Sequence, residues 1–262
     1  MKNTKTNTHI IPQTKGGVGK TVLSMILATL LYEEDKTINV YEIDDNNNSD
    51  IKSNILNFKS IQIKESENLL DEVYFDSFSE DENIINLVDC GGGNDTKSIL
   101  NKLAENDMIG NNYYVPIFDD IDHINNAIDT IELIRSFDKE ANVNLIFNRC
   151  LSTEQKDIEA QFIGVFGSEE YEIESRVKEL DYDNIFFIPN TNIFSILKAK
   201  NISLLDTYLH AIDLVANKHE YQKKWQQEGK ESFSKKMKMF RLGKRVIELI
   251  EDVAPLKKAL KG

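Results

Sequence analysis

The chain has 262 residues, 40% apolar and 29% charged, which suits one α/β unit plus an extension and can bury a large core. Two cysteines, Cys90 and Cys150, and four histidines supply neither a disulfide framework nor a transition-metal site and point to a reducing, cytoplasmic setting. The net charge of −13 argues against nucleic-acid binding by the surface as a whole, and no apolar stretch reads as a signal peptide or reaches the roughly 18 residues of a membrane span.

A first strand around Ile10 and Ile11 ends near Pro12 and Gln13, because proline cannot donate to a ladder. Lys15-Gly16-Gly17-Val18-Gly19-Lys20-Thr21 follows and opens a helix with apolar residues at Leu23, Ile26, Leu27, Leu30 and Leu31. Glycines let successive backbone N–H groups curl into one anion-binding concavity, and the positive end of the helix dipole adds to it. In this arrangement Lys20 reaches β- and γ-phosphates and the Thr21 hydroxyl ligates Mg²⁺. A second lysine, Lys15, meets the tighter pattern K-G-G-x-G-K-[ST]. On these residues the chain resembles the deviant Walker A family of P-loop ATPases, ParA, MinD and relatives, over roughly residues 8–215. The resemblance implies ATP with Mg²⁺, held by Lys15, Gly16, Gly17, Val18, Gly19, Lys20, Thr21 and Val22. It also implies a homodimer sandwiching two ATP molecules, with Lys15 crossing to the partner's phosphates.

The next strand spans 38–43 and runs into Asp44 and a polar turn. By resemblance Asp44 falls at the second Asp of the family's D-x-D, which orients the attacking water; the plain alternative is a strand-end turn. Glu42 stands at the first Asp, a departure that keeps the charge and lengthens the reach. Residues 51–58 read as a loop or short helix, 61–63 as an edge strand, 69–78 as an amphipathic helix and 79–82 as an acidic turn. The apolar run 84–89 ends in Asp89, a Walker B pattern that holds Mg²⁺ largely through water. Gly91-Gly92-Gly93 then reads as a mobile turn near the γ-phosphate. A strand at 113–117, a helix at 121–137 and a strand at 143–147 follow. By resemblance Asn148 reads the adenine edge, and Pro189 and Asn190 lie against the base; a strand-end turn is the alternative at Asn148. The charged stretch 152–183 reads as helical, 184–188 as a strand, 193–200 as a short helix and 203–218 as a closing helix. The alternation predicts a doubly wound, mostly parallel sheet with helices on both faces and ligands at its carboxyl edge. Lys20, Thr21, Asp44, Asp89 and Asn148 all map to that edge.

At Lys218 the composition changes: 13 Lys and Arg against 6 Asp and Glu leave about +7 here and about −20 in the remainder. This divides the chain into an ATPase domain, 1–217, and a basic amphipathic helical extension, 218–262, whose pattern Glu248, Glu251 and Asp252 interrupt and whose helix Pro255 ends. The extension suits a helix docked on the body, a DNA-backbone contact or attachment to anionic lipid. With these features the resemblance implies a slow ATPase acting as a dimerisation switch in plasmid or DNA partition, binding non-specific DNA in the ATP state and stimulated by a partner protein. A conjugative-transfer accessory ATPase and a MinD-like membrane-positioning ATPase are the alternatives.

Overall fold

The computed structural model describes residues 7–44, 51–63, 70–77 and 83–260, without the side chains of 258 and 259. Among these residues seven strands form one sheet: β1 (Thr8–Ile11), β2 (Thr37–Ile43), β3 (Asn57–Ile61), β4 (Ile84–Cys90), β5 (Asn112–Ile117), β6 (Asn142–Cys150) and β7 (Asn184–Pro189). Their order is β3-β2-β4-β1-β5-β6-β7 and every pairing is parallel. Parallel strands are covered on both faces, so their sequences run apolar without alternation; all four residues of β1 are buried.

The helices are α1 (Lys20–Leu31), α2 (Asp71–Ser77), α3 (Asn94–Glu105), α4 (Ile121–Phe137), α5 (Gln155–Gln161), α6 (Ile163–Phe166), α7 (Ile193–Lys200), α8 (Leu204–Ala216), α9 (Lys218–Gln227), α10 (Lys230–Asp252) and α11 (Ala254–Leu260). They build two layers. On one face α2 to α6 contribute Val73, Ile99, Ile131, Ile158 and Val165 to one core cluster. On the other, α1, α7, α8, α10 and α11 contribute Leu23, Leu197, Leu204, Val246 and Leu256 to a second. Helix α1 is thus covered by the sheet on one side and by other helices on the opposite side, which is why Leu23, Ile26, Leu27 and Ala28 are fully buried.

The order of strands and helices agrees with the doubly wound expectation, and several local readings need correction. The edge strand is Asn57–Ile61, set by the register Asn39↔Asn57, and not 61–63. Helix α3, with Ile99, Leu100 and Leu103 buried on one face, went unassigned beyond the glycine run. Residues 152–183 are not one charged helix. Two short helices place Ile158, Phe162 and Val165 in the core, and Gly167 at φ 79° then turns the chain so tightly that a Cβ would meet Ile173 O and Ser175 N at 2.7 Å. The closing helix, by contrast, is where it was expected, as α8 from Leu204 to Ala216, and α9 starts the extension at Lys218. Pro255 lies in the first turn of α11, where no intrahelical N–H is lost. The turn at 79–82 and residues 45–48 lie outside the described residues.

Past Lys218 the chain forms α9, α10 and α11. Leu242, Val246, Leu249 and Ile250 of α10 face the second core cluster. Gly243 allows a close crossing with α8, since a Cβ there would meet Ala211 Cβ at 2.9 Å. The N-terminal half of α10 pairs with α9 around Leu214, Trp225 and Phe240. No helix among the described residues is long and apolar enough to cross a membrane.

Candidate nucleotide site

Strand β1 ends at Ile11, and the chain curls back over its own carboxyl end before α1 begins. Gly17 (φ 79°) and Gly19 (φ 91°) take left-handed backbone that other residues resist. An added Cβ at Gly16 or Gly17 would meet nothing within 4 Å, so the loop borders open space on that side. Gly19 is different: a Cβ there would stand 2.1 Å from Asn148 Nδ2.

The loop is braced from several elements. Gln13, fully buried, donates from Nε2 to Pro116 O (3.1 Å), and its Oε1 accepts from Lys15 N (3.4 Å). Thr14 Oγ1 donates to Asn126 Oδ1 on α4 (3.0 Å). Asn148 Nδ2 donates to Val18 O (2.9 Å), while its Oδ1 accepts from Arg149 N (2.8 Å). Lys20 Nζ donates to Gln13 O (3.2 Å) and Lys15 O (3.1 Å), lying inside the curl, whereas Lys15 is exposed. Val22 is half-buried in the first turn of α1.

Strand β4 brings Asp89 to the same edge, in register with Ile11 on one side and Glu42 on the other. Asp89 is 6% exposed. Burial pushes its carboxyl up to about 7; a hydrogen bond from Thr21 and the charge of Lys20 pull it down, and Glu42 and Asp44 push it up again. Burial lowers Lys20, against Asp89, Cys90, Asp44 and Asp95. Asp44 is half-buried at the end of β2. A buried carboxylate flanked by two more, with one ammonium between them, is short of positive charge. Among the described residues no three His, Cys, Asp or Glu converge to hold a metal alone. That donor set fits a hard cation taking one or two protein oxygens and completing its shell from water and phosphate, as Mg²⁺ does.

The glycine turn after β4 meets the loop directly. Gly93 N donates to Thr14 O (2.5 Å), Gly91 N donates to Ile43 O (2.6 Å), and a Cβ on Gly92 would stand 3.1 Å from Gly16 Cα. Thr96 Oγ1 donates to both Gly91 O (2.5 Å) and Gln13 O (3.1 Å). Gly92 is therefore needed for packing against the loop, Gly91 for its fit against Asp95 and Ile43 O (a Cβ would stand 2.7 and 2.9 Å away) and Gly93 for its φ of 63°, roles sequence reasoning did not give them. It also missed the bracing by Gln13, Thr96 and Asn126, which spacing from the P-loop does not reveal; a glutamine at residue 13, just before the loop, was the available signal.

The structure brings Lys15, Lys20, Thr21, Asp44, Asp89 and Asn148 to one carboxyl edge. Pro189 ends β7, three strands from β1, and Asn190 follows it. Asn190 N donates to Cys150 O (2.8 Å), and among the described residues no hydrogen bond joins either residue to the loop.

A parallel sheet whose first strand passes through this lysine-flanked curl into a buried helix defines a P-loop nucleotide-binding protein. The chain belongs to the CobQ/CobB/MinD/ParA nucleotide binding domain family, which matches it over residues 10–260. No curated protein matches it by sequence. Among solved structures it is similar to the MinD cell division protein of Aquifex aeolicus (18% identity, 76% of this chain and 89% of that chain, TM-score 0.51). It is also similar to MinD in the MinC:MinD complex of the same organism (17%, 76% and 88%, TM-score 0.50) and to a Cyanothece McdA–ATP complex (13%, 77% and 90%, TM-score 0.48). At these identities the likeness to the two MinD structures establishes the fold alone.

Proposed function

We propose that the protein is an ATP-driven dimerisation switch that hydrolyses ATP slowly and holds non-specific DNA while ATP is bound, as in plasmid or DNA partition. The observation that carries this reading is one edge holding a buried Lys20 inside the curl, an exposed Lys15 on its rim, and Thr21 bonded to the buried Asp89. Loop N–H groups and Lys20 bind the phosphates. Thr21 and, through water, Asp89 and Asp44 would hold Mg²⁺, which would supply charge neutralisation at the phosphate oxygens. Asp44 orients a water toward the γ-phosphorus; the water oxygen bonds that phosphorus as the bond to the β–γ bridging oxygen breaks, ADP leaves with that electron pair, and the water's protons pass to the inorganic phosphate formed and to solvent. Lys15 reaches the phosphates of a second copy. Asn148, Pro189 and Asn190 border the base.

The DNA reading is supported by α10. Lys230, Lys238, Arg241 and Arg245 recur along one exposed side of the helix, and Arg245 Nη2 donates to Asn192 Oδ1 (2.5 Å), beside the loop that follows β7. The helix's apolar face is already spent on α8 and α1, so little remains to enter a bilayer. This weighs against attachment to lipid.

The test is the size of the wild-type and Asp44→Ala proteins with ATP and Mg²⁺, with and without duplex DNA. Asp44→Ala is expected to accumulate as a DNA-bound dimer with at least tenfold slower phosphate release. A monomer under every condition would overturn the switch.

A further inference from the structure

Arg149 is an outlier in both backbone and environment. It has φ 58°, in the left-handed region, at a register shift between Phe147 and Cys150, after which β6 pairs with β7 again at Cys150↔Pro189. Asn148 Oδ1 holds its N–H, and its guanidinium lies over the Phe118 ring, 4.5 Å from the centroid. Among the described residues no carboxylate pairs with that guanidinium. A carboxylate is nevertheless close: Gln161 Nε2 donates to both Arg149 O (3.1 Å) and Asp119 Oδ2 (3.3 Å). A cation fixed by stacking and strained backbone, with its donors unused, is set for a group the single chain does not supply.

Its surroundings indicate what that group is. Leu151 is 75% exposed and Ile121 is 52% exposed. Ile121 opens α4, and Asp119, Asp120 and Asp122 beside it are on the surface. Helix α4 is also the helix whose Asn126 holds Thr14, next to the exposed Lys15, and the ends of β5 and β6 bring the patch to the same carboxyl edge of the sheet. The patch therefore carries a cation, carboxylates and flanking apolar side chains side by side. A surface bearing both halves of an ion pair is complementary to itself under a twofold rotation, which makes an isologous contact.

We infer that a second copy of this chain seats on the Arg149–Leu151–Ile121 patch, with Arg149 pairing with the acidic start of α4 in the partner subunit. This rests on the dimer switch proposed above and assigns the surface that closes it. Arg149 acts by fixing the second copy, and the nucleotide is bound without it.

The experiment uses the full chain with Mg²⁺ and a slowly hydrolysed ATP analogue, reading dimer dissociation by sedimentation and nucleotide affinity by a fluorescent ATP. The wild type is expected to dimerise with the analogue. Arg149→Glu, Leu151→Glu and Asp122→Arg are each expected to weaken the dimer at least tenfold while nucleotide affinity in the monomer stays within twofold. Arg149→Glu combined with Asp122→Arg is expected to recover most of the loss, which a merely structural role for Arg149 would not do. If the wild type dimerises and the variants dimerise equally well, the patch is wrong and the switch stands. If Arg149→Glu weakens nucleotide binding tenfold, Arg149 belongs to the nucleotide site and the inference fails. If the wild type never dimerises, switch and patch fall together.

Discussion

Gly19 shows how closely the loop and β6 are fitted. Its φ of 91° disfavours any side chain, and the Asn148 amide fills the space a Cβ would need. Gly19→Ala is therefore expected to lower the melting temperature by about 5 °C or more, since left-handed strain costs about 1–2 kcal/mol before the clash is counted. Asn148→Ala alone also destabilises by loss of the Val18 O bond, but the double variant is expected to be less damaged than the sum, because the clash is gone. Strict additivity in thermal melts would show that the two residues do not compete for one space. His9 is the other residue with a measurable consequence. Burial, with help from Lys36, lowers it to about 4, and its Nδ1 lies 3.0 Å from Tyr114 Oη. Its folded pKa is below the unfolded value of 6.5, so the stability it contributes is present above pH 6.5 and is lost as pH falls toward 4. Between pH 7 and pH 5 this amounts to about 2 kcal/mol. Asp89, raised to about 7, gains stability over the same window and masks the loss in the wild type. The comparison that isolates His9 is urea unfolding of wild type against His9→Gln: the stability difference is expected to move by about 2 kcal/mol between the two pH values, and a constant difference would refute the assignment.

Helix α10 has two faces with separate duties, and point changes should separate them. Val246 is fully buried between α10 and the second core cluster. Val246→Ala removes two methyl groups and leaves a cavity, at about 2–3 kcal/mol and roughly 5 °C in melting temperature. Lys238, on the exposed face of the same helix, is expected to tolerate Glu within about 0.5 kcal/mol. Equal melting temperatures for the two variants would mean that α10 is not part of the core. The amphipathic pattern was legible in the sequence, as were the P-loop, Asp89 at a strand end and the alternation that yields a parallel sheet. Each is local: a spacing, a glycine curl, an apolar run ending in a carboxylate. What spacing could not supply was long-range. Gln13 holds Pro116, Thr96 ties Gly91 to Gln13, and Asn148 grips Val18 from 130 positions away. Residues 152–183 misled because charge density resembles a solvated helix, whereas three buried side chains and a left-handed Gly167 determine a folded-back path.

At the scale of the molecule the charge is divided: about +7 from Lys218 onward on a body of about −20. A chain of net −13 is repelled by DNA as a whole, but repulsion fades beyond a Debye length of about 8 Å at physiological salt, so a local cationic stripe can still engage phosphates. If each α10 presents about four cations, one copy neutralises about four phosphates and the logarithm of affinity falls with the logarithm of salt at a slope near −3.6, by about 0.9 per phosphate. Two copies joined by ATP double the contacts to about eight and steepen the slope to about −7. ATP then acts on DNA binding without touching DNA, through valency alone. Three proteins test this by fluorescence anisotropy on one duplex across a salt series. Wild type with ATP is expected near the steeper slope, and Lys15→Ala, held monomeric, near half of it. Lys238→Glu with ATP should be shallower than the wild type by about 2, one contact from each copy. Slopes that are the same with and without ATP, or that ignore Lys238, would place the DNA contact away from α10 and separate it from the dimer.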